Sequence, residues 1–368
     1  MFFYLSFLRP PPSSAVLGAP ISLTPQVSND LRTENYPGAV DVFYHWQDAA
    51  SGAQLSSVVK LTTWRETNAY KELSISPPPL RKAGQVTLVL TSTQAPTAGD
   101  LDLRSPKCGK EPLSVHSAPI SFSPRLPGKA SKQESVERVF RLLDSEENGT
   151  LRVKEMTSFD LDKKLWDSGV GLSHWLVRRS RAARPNTGDL ESTSWDKIFA
   201  APECCAVELG AGTGVVSLVL SALRSALHPH ASTNILATDL PSSIELMHHN
   251  VAANASSYAK HPPRPIVLDW DDDKLPEEVL EISSINFIIA ADITYNTASF
   301  PSLIDTLRRL LSHSPEALVL LAYKERDPAE RELWDLARDQ VSLVFQKMDE
   351  VEGAGGQAVE IWAGKRVL

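Results

Sequence analysis

The sequence predicts an α/β protein whose main sheet has seven strands and ends in an antiparallel hairpin, preceded by a smaller β-rich domain. Three observations support this prediction. Apolar runs alternate with helical patterns after residue 200, a glycine-rich turn follows the first run, and proline content and charge change near residue 130. With 42% hydrophobic residues and a net charge of −8, the 368 residues have the composition of a soluble globular protein.

Two domains are predicted, residues 1–130 and residues 131–368. Of the 26 prolines, 15 fall in the first segment, which is nearly neutral, whereas the second has an acidic excess. The run Pro127–Gln133 is typical of a linker. Short stretches rich in β-branched and aromatic residues predict strands in the first segment at Asp41–Trp46, Ser57–Thr63 and Gln85–Thr91. No catalytic spacing occurs there, so we expect a β-rich or partly ordered accessory region.

The segment after residue 200 alternates apolar runs with helical patterns. The runs predict strands at Cys204–Leu209, Asn234–Asp239, Pro265–Trp270, Ile285–Ile293, Ala317–Tyr323, Val341–Met348 and Gln357–Gly364. The helical patterns are Val215–Leu227, Ser242–Ala255, Glu277–Glu281, Phe300–Ser312 and Pro328–Gln340. This alternation is typical of a parallel sheet covered on both faces. Residues 349–356 leave no room for a crossover helix, so the last two strands should form an antiparallel hairpin.

The composition excludes several protein classes. Three cysteines, two of them adjacent, cannot form a disulfide framework, which favours a reducing compartment. The apolar run Met1–Leu8 is too short for a membrane span and lacks the basic start of a signal peptide. The acidic net charge argues against nonspecific nucleic-acid binding. We therefore expect a protein of the cytoplasm, or also of the nucleus, with neither membrane nor nucleic acid as a partner.

A glycine-rich turn, Glu208–Gly214, directly follows the first strand of the second segment. Such a turn lets the backbone approach a ligand closely, and the N–H groups of the following helix start point into the site. The dinucleotide fingerprint requires glycine at its sixth position, where Val215 stands, and this disfavours NAD and FAD. A P-loop is excluded because no Gly-Lys-Ser or Gly-Lys-Thr follows.

An acidic residue, Asp239, ends the second strand of this segment. A carboxylate there can accept hydrogen bonds from both hydroxyls of a ribose. Capping of the helix that starts near Pro241 would also account for it. Together with the glycine-rich turn, the ribose role is favoured.

Five parts of the sequence together resemble one enzyme family. They are Leu165–Gly169, Glu208–Gly214, Asp239, Leu268–Trp270 and Ala291–Tyr295, the last of which contains an Asp-x-x-Tyr motif. In combination they resemble the seven-β-strand protein-lysine methyltransferases with a Rossmann-like sheet, often called methyltransferase family 16. The resemblance covers roughly Val136–Leu368. It implies S-adenosylmethionine as the methyl donor and a lysine side chain of a protein as the acceptor.

The resemblance also implies which residues bind the donor. The glycine-rich turn would form a backbone wall against the donor's amino-acid part, with Glu208 directed at its ammonium group, while Asp239 would hold the ribose. Two indoles would pack around the donor and its adenine, and a small residue would form the floor beside the sulfonium. The residues implied are Trp166, Glu208, Gly210, Ala211, Gly212, Gly214, Asp239, Trp270 and Ala291.

On the acceptor side the resemblance implies Asp292 and Tyr295. Methyl transfer needs a neutral amine, whereas a lysine with a pKa of about 10.4 is almost entirely protonated at pH 7. Desolvation and the positive sulfonium lower that pKa, while a nearby charged carboxylate raises it. We therefore expect Asp292 to orient and hydrogen-bond the amine rather than to act as a strong base, and Tyr295 to line the channel. Most of the acceleration should come from positioning.

Two other functions stay open on the sequence alone. One is N-methylation of a small molecule, and the other is a non-catalytic scaffold that binds the donor. The joint presence of Trp166, Trp270, Asp292 and Tyr295 speaks against a scaffold, which has no chemical reason to keep acceptor residues. We expect a monomer whose partner is a protein substrate that presents a lysine.

Residues 144–155 match part of the calcium-loop pattern, but we reject a calcium site there. Glu146 at the third position and Arg152 at the ninth do not fit the pattern, and no second loop exists to pair with it. A hairpin turn at Asn148-Gly149 is the simpler interpretation. No metal site is predicted elsewhere in the sequence.

Overall fold

A computed structural model describes residues 1–95, 99–125, 131–145, 149–158, 160–186, 190–258 and 261–367. The chain divides into two compact units. The first unit contains Met1–Arg141, Arg152–Asp160 and Gly353–Gly355; the second contains Leu142–Leu151, Leu161–Glu352 and Gly356–Leu368. Among the helices in these described ranges, none is both long enough and apolar enough to cross a membrane.

The first unit is built from strands. They are β1 (Tyr4–Arg9), β2 (Ser14–Val16), β3 (Ile21–Ser28), β4 (Ala39–Asp48), β5 (Val59–Arg65), β6 (Leu73–Ile75), β7 (Gly84–Thr91), β8 (Asp100–Asp102), β9 (Val115–Ser117), β10 (Ile120–Ser123), β11 (Ser135–Arg141) and β12 (Thr150–Met156). Within the described residues, β1, β3 and β6 form one sheet and the other nine strands form a second. Their apolar side chains share one core, which includes Trp46, Trp64 and Phe122. The three strands predicted for this region are found as β4, β5 and β7.

The boundary between the units differs from the one predicted at residue 130. Strand β11 pairs with β9 and β8, and β12 is the neighbour of β11, so the sheet of the first unit continues past the change in composition. The predicted second domain, 131–368, therefore begins too early, because sheet pairing joins strands that are distant in sequence. Gln133, at the end of the predicted linker, is buried and donates a hydrogen bond to the Ala118 carbonyl at 3.0 Å. Residues 127–130 of that linker lie outside the described residues, as do Asn148 of the predicted turn and Glu146 of the rejected calcium loop.

The second unit has one sheet, with seven strands in the part of the chain that the structure describes. They are β13 (Cys204–Leu209), β14 (Thr233–Asp239), β15 (Arg264–Val267), β16 (Phe287–Ala291), β17 (Leu318–Tyr323), β18 (Leu343–Val351) and β19 (Val359–Arg366). The spatial order is β15-β14-β13-β16-β17-β19-β18. The first five strands of this order are parallel, and β19 is antiparallel to both of its neighbours. The predicted parallel sheet with a C-terminal antiparallel hairpin is therefore observed.

The α-helices assigned within the described ranges all belong to the second unit. They are α1 (Asp167–Arg181), α2 (Leu190–Trp195), α3 (Val215–Leu227), α4 (Pro241–Ala253), α5 (Glu277–Leu280), α6 (Phe300–His313) and α7 (Glu332–Val341). Helix α3 has the predicted bounds. Helix α1 was not predicted. Every residue from Asp167 to Val177 is buried, whether apolar or polar. The sequence therefore lacks the apolar stripe opposite a polar face by which a surface helix is recognised.

The carboxyl ends of three strands meet at one edge of this sheet. Strand β13 lies between β14 and β16, with Leu209 beside Thr238 on one side and Ala290 on the other. The strand order therefore reverses at β13, and such a switch point leaves a crevice beyond the strand ends. The glycine-rich turn begins at the end of β13, Asp239 is the last residue of β14, and Asp292 directly follows β16.

Candidate active site

A cavity of about 290 Å³ lies at this switch point. Its lining includes ten of the eleven residues predicted for the site: Trp166, Glu208, Gly210, Ala211, Gly212, Asp239, Trp270, Ala291, Asp292 and Tyr295. Gly214, the eleventh, is not among the residues that line the cavity. It precedes α3 with a φ of +79°, and a Cβ there would lie 3.6 Å from Cγ of Met247.

The glycine-rich turn needs glycine at two positions along the cavity. Gly210 and Gly212 have φ values of +62° and +56°, in the left-handed region that side chains disfavour. A Cβ on Gly210 would lie 2.9 Å from Cγ2 of Ile293, and one on Gly212 would lie 3.3 Å from the carbonyl oxygen of Asp162. Only glycine therefore lets this backbone follow the cavity wall so closely.

Glu208 is the last residue but one of β13 and is 2% exposed. Its Oε2 accepts the N–H of Ser217 at 2.9 Å and also the Ser217 hydroxyl, both in the first turn of α3. Its other oxygen, Oε1, has no hydrogen-bond partner among the described residues. Burial raises the pKa of Glu208 to about 7. A cation bound in the cavity would favour the ionised carboxylate.

Asp239 ends β14 beside the glycine-rich turn. Its Oδ2 accepts the N–H of Gly212 at 2.7 Å, and its Oδ1 accepts the N–H of Leu240 at 2.7 Å. Burial raises the pKa of Asp239 above its ordinary value, although these two N–H groups act against the rise. A carboxylate offers about four lone-pair positions, so each oxygen retains one for a ligand hydroxyl.

Two indoles line the cavity from different segments. Trp166 precedes α1 and donates its Nε1–H to the carbonyl oxygen of Leu161 at 2.8 Å. The guanidinium of Arg326 lies over the Trp166 ring, 5.5 Å from its centroid. Trp270 lies in the loop after β15, and its Cζ2 atom is 3.6 Å from the position that a Cβ on Gly210 would occupy. The second indole therefore packs close to the glycine-rich turn.

Asp292 follows β16 with a φ of +58°, a conformation that is uncommon for residues other than glycine. Its side chain is 4% exposed. Oδ2 accepts the N–H of Ser168 at 2.6 Å, and Oδ1 pairs with Nη1 of Arg326. Each oxygen therefore has a protein partner already, which the sequence did not predict. Contact with an acceptor amine would use the remaining lone pairs.

Tyr295 lines the cavity and, as a residue, is 57% exposed. Burial of part of the ring, together with the charges of Asp239 and Asp162, raises the pKa of its hydroxyl. The hydroxyl is therefore protonated at neutral pH and can donate a hydrogen bond.

A second set of charged residues was missed by the sequence analysis. Asp162 lines the cavity and accepts a hydrogen bond from the Ser243 hydroxyl at 3.1 Å. Lys324 donates to Oδ2 of Asp167 at 2.7 Å in a pair whose side chains are 5% and 0% exposed. Lys324 and Arg326 stand directly after the fully buried strand β17. That charged run was the one available sequence signal, and the partners of the two residues are more than 30 positions away.

The cavity fits S-adenosylmethionine by the chemistry of its lining. Asp239 offers acceptors for two ribose hydroxyls, and Oε1 of Glu208 offers a buried acceptor for an ammonium group. The indoles of Trp166 and Trp270 offer flat apolar surface for a purine. Among the described residues, no group of three or more His, Cys, Asp and Glu side chains could hold a metal ion.

Comparisons with known proteins agree with this chemistry. The chain is 34% identical over 122 residues to EEF1A lysine methyltransferase 3 of Xenopus tropicalis, covering 33% of this chain and 46% of the relative. It is 28% identical over 177 residues to protein-lysine N-methyltransferase EFM6 of Saccharomyces cerevisiae, covering 47% of this chain and 67% of the relative. The chain spans about half the length of the curated relatives it matches.

Among solved structures, the chain is similar to magnesium protoporphyrin IX methyltransferase of Synechocystis PCC 6803. The identity is 10%, the TM-score is 0.31, and the match covers 52% of this chain and 89% of that one. The family model described as lysine methyltransferase matches residues 145–340, which is more than half of the chain and includes every residue of the candidate site. The chain therefore belongs to the lysine methyltransferase family.

Proposed function

We propose that this protein transfers a methyl group from S-adenosylmethionine to a lysine side chain of a protein substrate. One observation carries the proposal: a single cavity joins Gly210, Glu208 and Asp239 to Asp292 and Tyr295. The second unit, with its seven-stranded sheet, is then the methyltransferase domain. The first unit is an accessory domain that helps to select the substrate.

The donor would be held by residues on three neighbouring strand ends. Asp239 accepts hydrogen bonds from the ribose, and Glu208 becomes ionised against the ammonium group. Trp166 and Trp270 cover the apolar parts and exclude water, which strengthens the polar contacts. When bound, the donor supplies an electrophilic methyl group on a positively charged sulfur.

The acceptor lysine would enter beside Tyr295 and must arrive as the neutral amine. Asp292 carries a negative charge, but Arg326 is paired with it, so the pair does little to hold a proton on the lysine. The hydroxyl of Tyr295 can hydrogen-bond the incoming amine. Because this position is exposed, water can take up the proton that the lysine loses before it enters.

A protein substrate is supported by the open position of Tyr295, since its 57% exposure lets a side chain presented from outside reach the cavity. The names of the relatives from Xenopus tropicalis and Saccharomyces cerevisiae both specify lysine methylation, one of them of EEF1A. From these names we take only the substrate class, a lysine of a protein, as a proposal for this chain. We propose further that the protein acts as a monomer, in the cytoplasm and also in the nucleus.

Transfer of radiolabelled methyl from S-adenosylmethionine to the proteins of a cell lysate tests this proposal. The wild type should label a discrete protein, and Asp239→Ala should not. Titration calorimetry should show the donor Kd of Asp239→Ala about 100-fold weaker, for the loss of about 3 kcal/mol of charge-assisted hydrogen bonding. Asp335→Asn is the matched control, because this side chain is 65% exposed on α7.

The outcomes separate the competing functions. If the wild type binds the donor but labels no protein, methylation of a small molecule or a scaffold role replaces the proposal. If the wild type does not bind the donor, the interpretation of the glycine-rich turn itself is wrong.

A further inference from the structure

We infer that Arg326 is a positioning residue of the methyl-transfer site, which holds Asp292 and the first turn of α1 in place and balances the charge of the Asp292 carboxylate. The inference rests on the proposed function and deepens it. Arg326 itself is not part of the cavity lining described above, so it acts through the residues that it touches.

The contacts of Arg326 join both sides of the site. Its side chain is 13% exposed, and Nη1 contacts Oδ1 of Asp292 and the carbonyl oxygen of Lys324, the latter at 3.4 Å. The same guanidinium lies 5.5 Å from the centroid of the Trp166 ring. One side chain therefore contacts a residue implied in acceptor binding and an indole implied in donor binding.

The carboxylate held by Arg326 also fixes the start of α1. The N–H of Ser168 is one of the groups at a helix start that lack a partner within the helix, and Oδ2 of Asp292 accepts it at 2.6 Å. The positive end of the helix favours a carboxylate at this position. The neighbouring pair of Asp167 and Lys324 ties the same turn to the end of β17. The turn that follows Trp166 is thus anchored at two adjacent points.

Arg326 also balances charge beside the cavity. Around Arg326, Asp167 and Lys324 balance each other, and buried Glu330 accepts the Arg326 N–H at 3.4 Å. The carboxyl groups on the cavity lining are those of Asp162, Glu208, Asp239, Asp269, Asp271 and Asp292, and Lys164 is a cationic residue on that lining. Without Arg326, Asp292 would lose the cation with which it is paired. It would then attract the sulfonium more strongly and raise the pKa of an acceptor lysine.

Binding of two ligands that differ by a methyl group and one positive charge tests the charge balance. S-adenosylmethionine and S-adenosylhomocysteine are titrated into wild type, Arg326→Met, Arg326→Lys, Asp292→Asn and the double variant Arg326→Met/Asp292→Asn. Arg326→Met should increase the preference for the sulfonium ligand five- to tenfold, because one unpaired charge remains. The double variant should return to the wild-type ratio, and Arg326→Lys should retain it. Arg308→Met, which removes an arginine from an exposed pair on α6, is the matched control.

Amide hydrogen exchange tests the positioning independently of any ligand. In Arg326→Met, peptides that cover the first turn of α1 should exchange at least tenfold faster, with Arg326→Lys close to the wild type and the β18–β19 peptides unchanged. Unchanged exchange overturns the positioning role. A ligand preference that does not return to the wild-type value in the double variant overturns the charge role. If the wild type binds neither ligand, the proposed function fails, and the exchange result still decides whether Arg326 positions α1.

Discussion

The two units bury charged groups in different surroundings. In the first, Arg138 is 2% exposed and donates to Glu155 at 2.8 Å, to the carbonyl oxygen of Leu5, and to those of Leu113 and Ser114. Leu5 lies in β1 and Glu155 in β12, so the guanidinium joins strands of both sheets. In the second, buried Asp292 pairs with the partly buried Arg326 and lines a cavity instead.

The titratable groups follow the same division. Burial lowers the pKa of His45 to about 4 and that of His116 to about 3 in the first unit, whereas it raises the pKa of Glu208 to about 7 in the second. In both cases burial favours the neutral form. The histidines lie within a sheet, but Glu208 lines the cavity, where a ligand cation can reverse the preference. The buried titratable groups thus belong to a β-sheet in one unit and to a cavity lining in the other.

The largest effect is expected from Arg138→Met. This change removes the guanidinium that donates to the buried Glu155 carboxylate and to three carbonyl oxygens, and it should lower the free energy of unfolding by about 3–5 kcal/mol. Urea unfolding, monitored through the hydrogen exchange of peptides from β9 and β11, measures this loss of stability.

Arg9→Met is the matched control for that change. Its pair with Glu72 is exposed and spans 3.5 Å, so the free energy of unfolding should change by at most about 1 kcal/mol. Equal losses in both variants would contradict the structural role of Arg138. If Arg138→Met still binds the donor, Arg138 is needed for the stability of the first unit but not for the binding site of the second.

A smaller effect is expected from acid acting on the histidine pair. His45 and His116 both pair with Val89, from β4 and β9 on either side of β7, so the two rings lie in one row across the sheet. Among the described residues, neither Nδ1 atom has a hydrogen-bond partner. Their folded-state pKa values lie below the ordinary 6.5, so the unfolded chain binds protons first as the pH falls. The stability that they contribute above pH 6.5 should decrease by about 2–3 kcal/mol at pH 5.5.

Urea unfolding at pH 7.5 and pH 5.5, followed on peptides from β4 and β9, measures this decrease. His45→Gln/His116→Gln should flatten the pH dependence, whatever its effect on stability at pH 7.5. His248→Gln, on the exposed face of α4, should leave the dependence as in the wild type. A wild-type protein that is equally stable at both pH values would argue against neutral buried histidines.

Local patterns predicted most of the second unit. The bounds of β13 and α3 match the prediction, because an apolar run, a glycine-rich turn and a helical pattern follow each other without a break. The parallel direction of β13 to β17 also follows from the alternation of strand and helix, whereas their order in the sheet was not predicted. The boundary of the first unit could not be predicted, since the pairing of β11 with β9 is not visible in composition.

The candidate site was predictable where its residues follow strand ends, and not where they act through distant partners. Asp239 and Glu208 stand where the parallel sheet brings strand ends together. The pairing of Asp292 with Arg326 depends on a side chain 34 positions away. The sequence therefore indicated which carboxylate lines the cavity but not that its charge is already balanced.

The smallest effect is expected from Glu208, and it should have opposite signs for stability and for binding. Its folded-state pKa of about 7 lies above the ordinary value of 4.5, so the stability it contributes is present below pH 4.5 and is lost as the pH rises through 7. In the proposed function, the donor's ammonium group binds the ionised carboxylate. The Kd for S-adenosylmethionine should therefore rise five- to tenfold between pH 7.5 and pH 6, since the ionised fraction falls by about that factor.

Titration calorimetry at the two pH values, with Glu208→Gln beside the wild type, measures this change. Glu208→Gln should bind more weakly at pH 7.5 and show little dependence on pH, because its amide does not titrate. Glu332→Gln, at the exposed start of α7, should keep the dependence of the wild type. A steep dependence that persists in Glu208→Gln would assign the titration to another cavity carboxylate, such as Asp239. The contrast between the buried histidines of the first unit and a cavity carboxylate of the second would then rest on a residue other than Glu208. Acid would still weaken donor binding through that carboxylate, and it would still destabilise the β-sheet through the histidines.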